Sequence, residues 1–188
     1  RRNGSRWRFL RALEAGIGWF NVESEAEFEV LAATAKRVGR GCRAALRVNP
    51  DVDPKTHKYT TTGLRRTKFG VDHDRAVAFF EAFGGDEWCR LTGIHLHIGS
   101  PVYRVDPYVA AIERATALMD ELANVGRPIE MLDLGGGFGA DYESGQSPNA
   151  EAYAERIVPL LRERVGNGLQ IVLEPGRTIS ANAGVLVI

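Results

Sequence analysis

The chain lacks the features that would tie it to a membrane, a nucleic acid or an oxidising compartment. Its 188 residues include two cysteines, Cys42 and Cys89, too few for a disulfide framework and without metal-ligand spacing. No apolar run approaches the roughly 20 residues that a bilayer crossing takes, and no secretory leader opens the chain. Neither sign of charge is in excess. The 24 Lys+Arg face 24 Asp+Glu, which removes the electrostatic case for nucleic acid or an anionic lipid surface. Lysine is scarce: only Lys36, Lys55, Lys58 and Lys68 occur. None of them sits on an apolar strand, where a desolvated, nucleophilic lysine is expected. Apolar residues at 44% and charged residues at 26% are globular proportions and argue against disorder. The expectation is a soluble protein of the cytoplasm.

Glycine, by contrast, is plentiful at 21 residues, much of it clustered, as suits a backbone that must approach a ligand closely. Between the clusters, short apolar strands alternate with amphipathic helices. Strands are expected at 17–22, 43–48, 91–98, 129–134 and 169–174. The capping box Ser24 to Glu27 opens a helix carrying Phe28, Leu31, Ala35 and Val38 and stopping at Gly39. Asp72 or Asp74 caps a helix with Val77, Phe80 and Phe83. Asp106, followed by Pro107, caps a third, with Val109, Ile112, Ala115, Met119 and Leu122 on one face. A helix over about 149–165 follows, with a kink expected at Pro159. The polar stretch 49–68 is too long for a mere connection and reads as functional. The last residues, 184–188, read as a further strand.

Strand–helix alternation implies an α/β fold with a parallel sheet. An open doubly wound sheet and a closed (β/α)₈ barrel both fit, and both place active-site residues at the carboxyl ends of strands. Polar or glycine-rich residues follow the strands at Asn21, Asn49, His97, Gly135 and Glu174. Five strand ends facing one mouth favour the barrel. About five of eight strands are accounted for, so a partial barrel is expected.

Three motifs carry chemistry. Gly135-Gly136-Gly137, directly after a strand, offers successive N–H groups for an anion such as phosphate. A structural tight turn and a dinucleotide-binding loop ending at Ala140 are the alternatives, the latter weakened because no helix starts within the motif. Glu174-Pro175-Gly176-Arg177 ends another strand. Its carboxylate can hold a pyridinium nitrogen protonated and its guanidinium can clamp a carboxylate or phosphate; a plain Glu–Arg ion pair is the bland alternative. His95 and His97 share one face of a strand. That pattern can begin a metal site, but the other histidines, His57 and His73, lie elsewhere in the pattern, so no metal is expected. An imidazole stacked on a flat ring, with Ser100 near its phosphate, fits equally.

Together, Phe20 to Ser24, Leu46 to Asp51, Thr56 to Tyr59, Thr62-Gly63, Lys68 to Gly70, His95 to Ser100, Asp133 to Gly137 and Glu174 to Arg177 resemble the diaminopimelate decarboxylases. These are pyridoxal 5'-phosphate enzymes of lysine biosynthesis with an alanine-racemase-type barrel. The last three motifs are shared with ornithine and arginine decarboxylases, whereas the segment 49–70 looks like the diaminopimelate branch. The resemblance implies decarboxylation of meso-2,6-diaminopimelate to L-lysine. It implies His97 stacked on the cofactor ring and Ser100 and the loop Gly135, Gly136 and Gly137 at its phosphate. Glu174 would lie at the ring nitrogen, with Pro175 and Gly176 in the same cofactor-binding turn and Arg177 at substrate or phosphate. Pro101 departs from the family, where Gln is commoner.

By the same resemblance, Asn3-Gly4 matches the end of the third barrel strand. Residues 1–181 would then be barrel strands four to eight, and 182–188 the start of a C-terminal β domain. The Schiff-base lysine would precede residue 1, and a cysteine and tyrosine reaching across a homodimer would follow residue 188. The chain alone is expected to be inactive. A sister decarboxylase for ornithine, arginine or carboxynorspermidine, and a non-catalytic pyridoxal-phosphate-binding homologue, are the other classes that fit.

Overall fold

The computed structural model describes residues 2–52, 69–141, 147–181 and 183–184. The motifs Thr56 to Tyr59 and Thr62-Gly63, the lysines Lys55, Lys58 and Lys68, His57, and the strand expected at the C-terminus lie outside the described residues. Along the chain run α1 (Arg2–Glu14), β1 (Trp19–Val22), α2 (Glu25–Val38), β2 (Cys42–Arg47), α3 (His73–Phe83) and β3 (Cys89–His95). Then come α4 (Asp106–Asn124), β4 (Met131–Asp133), α5 (Ala150–Gly166), β5 (Gln170–Val172) and α6 (Gly176–Ser180).

Local chemistry sets most of these boundaries. Ser24 Oγ accepts from the Glu27 N–H at the start of α2, while Glu27 reaches back to the N–H of Glu23 at 2.8 Å. This closes the capping box one residue earlier than its usual form. Asp72 and Asn149 cap α3 and α5 in the same way, accepting from Arg75 and Ala152. Asp106 does not cap α4. Val105 holds that position without a side-chain bond, and the Asp106 carboxylate turns outward to Arg104 at 2.9 Å and Arg156 at 3.3 Å. Two guanidiniums compete better for a carboxylate than a backbone N–H does. α5 continues through Pro159 as one helix.

Asn3 and Gly4 lie inside α1, not at a strand end. The reason is one turn further on: Phe9 packs edge-on against Phe20 with centroids 5.9 Å apart, and Leu13, four residues later, is buried. That pair anchors a helix whose arginine-rich opening shows little apolar periodicity.

The five strands are all parallel and lie in the order β1-β2-β3-β4-β5. A doubly wound sheet reverses its order at a switch point; this one never does, which is barrel topology. The sheet also curls. The side chain of Asn21 on β1 reaches Asp133 on β4 at 3.2 Å, across two intervening strands. On the concave face, a Cβ at Gly93 would lie 2.9 Å from the Trp19 ring and 2.8 Å from the Ala45 methyl. The absent side chain makes room for that indole, over which the Arg43 guanidinium stacks at 4.4 Å. On the convex face, Leu46, Ile94 and Leu132 meet Phe28, Phe79 and Phe80 from α2 and α3 and the apolar stripe of α4 in one core. Cys42 and Cys89, distant in sequence, are register partners, buried and unbridged.

Both sheet edges carry exposed apolar side chains, Ile17 before β1 and Leu173 after β5, each 51% exposed. A largely apolar cavity of about 560 Å³ opens between β5 and α5, lined by Leu134, Phe138, Ile171, Leu173, Ile157 and Leu161 among others. Such edges and faces match an unclosed barrel.

Candidate active site at the carboxyl ends of the strands

Parallel pairing puts register partners on the same face. Arg47 pairs with His95, and His95 with Asp133, so a cation, an imidazole and a carboxylate stand side by side at the top of β2, β3 and β4. Asn21 contributes from β1 and Glu174 from just beyond β5. All open at one mouth of the curved sheet.

Glu174 is central. His95 Nε2 lies 3.8 Å from its Oε1 and His97 Nδ1 3.9 Å from its Oε2, while Asn21 Nδ2 donates to Oε1 at 3.5 Å. Burial and the nearby Asp133 carboxylate, partly offset by Arg47, push the Glu174 carboxyl above the ordinary carboxylate range. Arg47 itself pairs with Glu23 at 2.6 Å.

The glycine triplet interlocks three loops. A Cβ on Gly135, Gly136 or Gly137 would lie 2.1 Å from Leu96 O, 2.2 Å from Glu174 O and 1.8 Å from Gly99 O, respectively. The Glu174 N–H donates to Gly135 O at 2.9 Å, and the Val102 N–H to Gly137 O at 2.8 Å. Beneath the loop, Tyr108 stacks on Phe138 at 4.7 Å and donates its hydroxyl to Gly136 O, with Tyr153 edge-on to both rings. Two N–H groups of the triplet have partners within the chain. Gly135 donates to Asp133 Oδ1 at 2.8 Å and Gly136 points to His97 Nδ1 at 3.4 Å. At the same mouth Arg177 Nε donates to Ser100 Oγ at 3.3 Å. Pro175 and Gly176 turn the chain from Glu174 into α6, which carries Arg177.

His97, Ser100, Gly135, Gly136, Gly137, Glu174, Pro175, Gly176 and Arg177 therefore come together at one mouth. Sequence reading missed Asp133 and Arg47 as site residues and gave Asn21 no partner. Only their position at strand ends marked them, because their partners lie on other strands.

A pyridoxal-type cofactor fits this donor set. A carboxylate, 42% exposed at the mouth, could meet a ring nitrogen, an imidazole lies beside it, and a guanidinium–hydroxyl pair could meet a phosphate. His95, His97 and Glu174 also bring one donor atom each within 4.8 Å of one another. The two imidazole nitrogens lie 3.8 and 3.9 Å from the Glu174 oxygens, and the Gly136 N–H points to His97 Nδ1 at 3.4 Å.

His95 is 6% exposed, and neither of its ring nitrogens has a hydrogen-bond partner among the described residues. Burial, opposed by Asp133, lowers its pKa from an ordinary 6.5 to about 4. The folded state thus holds a neutral imidazole that the unfolded chain would protonate. This contribution to stability is complete above pH 6.5 and is lost as pH falls towards 4, on the order of 3 kcal/mol in all. Burial lowers His97 in the same sense. The thermal midpoint of the full-length protein should therefore fall between pH 6.5 and 4, and His95→Leu should flatten that fall. An unchanged slope in the variant would contradict the assignment.

Residues 3–181 match the family described as "Pyridoxal-dependent decarboxylase, pyridoxal binding domain". The chain is 45% identical over 178 residues to diaminopimelate decarboxylase of Pseudomonas aeruginosa, covering 94% of this chain and 42% of that protein. It is 41% identical over 177 residues to that of Aquifex aeolicus, covering 94% and 41%. Among solved structures, diaminopimelate decarboxylase from Helicobacter pylori complexed with L-lysine gives a TM-score of 0.84 at 32% identity, over 93% of this chain and 43% of that one. The chain thus spans less than half the length of the curated relatives it matches.

Proposed function

The chain belongs to the pyridoxal-dependent decarboxylases, and we propose that the full-length protein containing it converts meso-2,6-diaminopimelate to L-lysine and carbon dioxide. The observation that carries this reading is the mouth itself, where His97 and Ser100 from the loop after β3 meet Glu174 and Arg177 from the segment after β5. The relatives named above support the substrate, and L-lysine, seen in the Helicobacter pylori structure, is what remains of diaminopimelate once one carboxylate leaves.

On this reading pyridoxal 5'-phosphate, when bound, supplies the electron sink for the bond that breaks. The chain's own residues hold and tune. Arg177 and Ser100 would hold the phosphate end, His97 would contact the ring, and Glu174 would keep a proton at the ring nitrogen. Gly135, Gly136 and Gly137 fix the loops that carry these groups. Arg177 also serves a substrate carboxylate.

The barrel portion is placed at residues up to 181, a boundary that the family match, ending at residue 181, supports. We place the enzyme in the cytoplasm as a homodimer. Two buried, unbridged cysteines support a reducing compartment, and among the described residues no helix is long and apolar enough to cross a membrane.

The test is an assay of the full-length protein with pyridoxal 5'-phosphate. Carbon dioxide and L-lysine are expected from meso-diaminopimelate, with ornithine and arginine turned over at least about a hundredfold more slowly. Faster release from either competitor, or cofactor binding without release from any, would overturn the reading.

A further inference from the structure

Two carboxyl groups share the mouth, and one amide joins them. Asn21 Nδ2 donates to Asp133 Oδ2 at 3.2 Å and to Glu174 Oε1 at 3.5 Å. Asp133 is 3% exposed, and its other oxygen accepts the Gly135 N–H at 2.8 Å. Both Asp133 oxygens are therefore engaged, and the group cannot turn away. Glu174 is fixed from behind. Its N–H donates to Gly135 O, and its carbonyl fills the space left by the missing Cβ of Gly136.

We propose that Asp133, joined to Glu174 through the Asn21 amide, is a positioning residue that makes Glu174 the principal proton-holding group of the mouth. The inference rests on the proposed cofactor reading and deepens it. A buried, locked carboxylate beside a second one raises the second one's hold on a proton. The other charged or titratable neighbours are Arg47 and Glu23 from the ends of β2 and β1, and His95 and His97 from β3. Arg47 opposes the effect, but its guanidinium is already paired with Glu23. The two imidazoles, at 3.8 and 3.9 Å, are too distant to share the proton by a normal hydrogen bond. When a ring nitrogen faces Glu174, the charge of Asp133 keeps the proton between carboxylate and ring. Asp133 does this without touching the ring.

The experiment uses the full-length protein, first free of cofactor, with carboxyl-¹³C glutamate. The Glu174 signal, assigned by its loss in Glu174→Gln, is followed against pH. Asp133→Asn keeps the acceptor for Gly135 but removes the charge, so the Glu174 midpoint should fall. Asn21→Ala removes the donor that ionised Glu174 shares, so the midpoint should rise. With cofactor bound, the ¹⁵N signal of the ring nitrogen should move towards its unprotonated position in Asp133→Asn. Turnover should drop about tenfold, with KM within about twofold.

An unchanged Glu174 midpoint and ring-nitrogen signal in Asp133→Asn, even with turnover lost, would reduce Asp133 to a structural role and overturn the proposal. If that variant does not fold, Asp133→Ser, which also removes the charge and keeps an oxygen for the Gly135 N–H, decides, and an unchanged Glu174 midpoint there is equally fatal. A wild-type protein that binds no cofactor would sink the functional reading, whereas the titration of the cofactor-free protein would still judge the carboxyl pair.

Discussion

Replacing Glu174 with glutamine in the full-length protein is expected to lower kcat by about 10²- to 10³-fold while weakening cofactor binding less than about tenfold. Glutamine keeps the size of the side chain and a hydrogen-bonding end but cannot carry the negative charge that holds a proton at a ring nitrogen. On the proposed reading affinity has other sources: Arg177 and Ser100, 3.3 Å apart, for a phosphate, and His97 for the ring. These remain when Glu174 changes. The ratio of the two losses separates an electronic role from a grip on the ligand, since an interaction made only in the transition state lowers kcat and spares binding. Turnover is read from carbon dioxide release and affinity from cofactor fluorescence. Equal losses in the two would return Glu174 to the status of a binding contact, and the bland ion-pair reading of the Glu174–Arg177 turn would regain its force.

What could be read from the sequence was what is local. Ser24, Asp72 and Asn149 cap their helices because a side-chain oxygen needs only an N–H three residues away; Ser24 was legible as a cap, Asp72 as one of two candidates, and Asn149 only as the start of a helix. The strands fell within two or three residues of their expected ends, since apolar runs between glycine and proline clusters survive any packing detail. α1 was hidden: Gly4 and a run of arginines mask the Phe9–Leu13 pair that makes it a helix. Asp106 misled because its capping position was judged from the chain alone, whereas Arg156 arrives from α5.

The site shows the same division. His97, Ser100, Glu174 and Arg177 announce themselves by residue type at strand ends. The contacts that define the mouth join Asn21 to residues 112 and 153 positions away, and no pattern in a single chain encodes that distance. The glycine triplet was visible as a motif, but its use was not. Only the structure reveals that the missing side chains make room for three neighbouring carbonyls.

That use makes Gly137→Ala the most damaging small substitution expected in this chain. Two penalties act at Gly137. Its φ of +87° lies in the left-handed region, where an alanine costs about 1–2 kcal/mol. Its new Cβ would also sit 1.8 Å from Gly99 O and 3.0 Å from Gly99 C, both backbone atoms that no rotamer change can move aside. Relief requires the β3 and β4 loops to part. Parting breaks the Val102–Gly137 hydrogen bond and the adjoining bridge between Val102 and Phe138, and carries Ser100 away from Arg177. A total above about 4 kcal/mol is expected, enough to leave little folded full-length protein at 37 °C. Gly126→Ala isolates the backbone term, because Gly126 has a φ of +74° but nothing within 4 Å of its would-be Cβ. That variant should lose only about 1–2 kcal/mol. Thermal midpoints and soluble yield compare the two. Similar losses would mean that the loops part easily and that the triplet is a turn rather than an interlock.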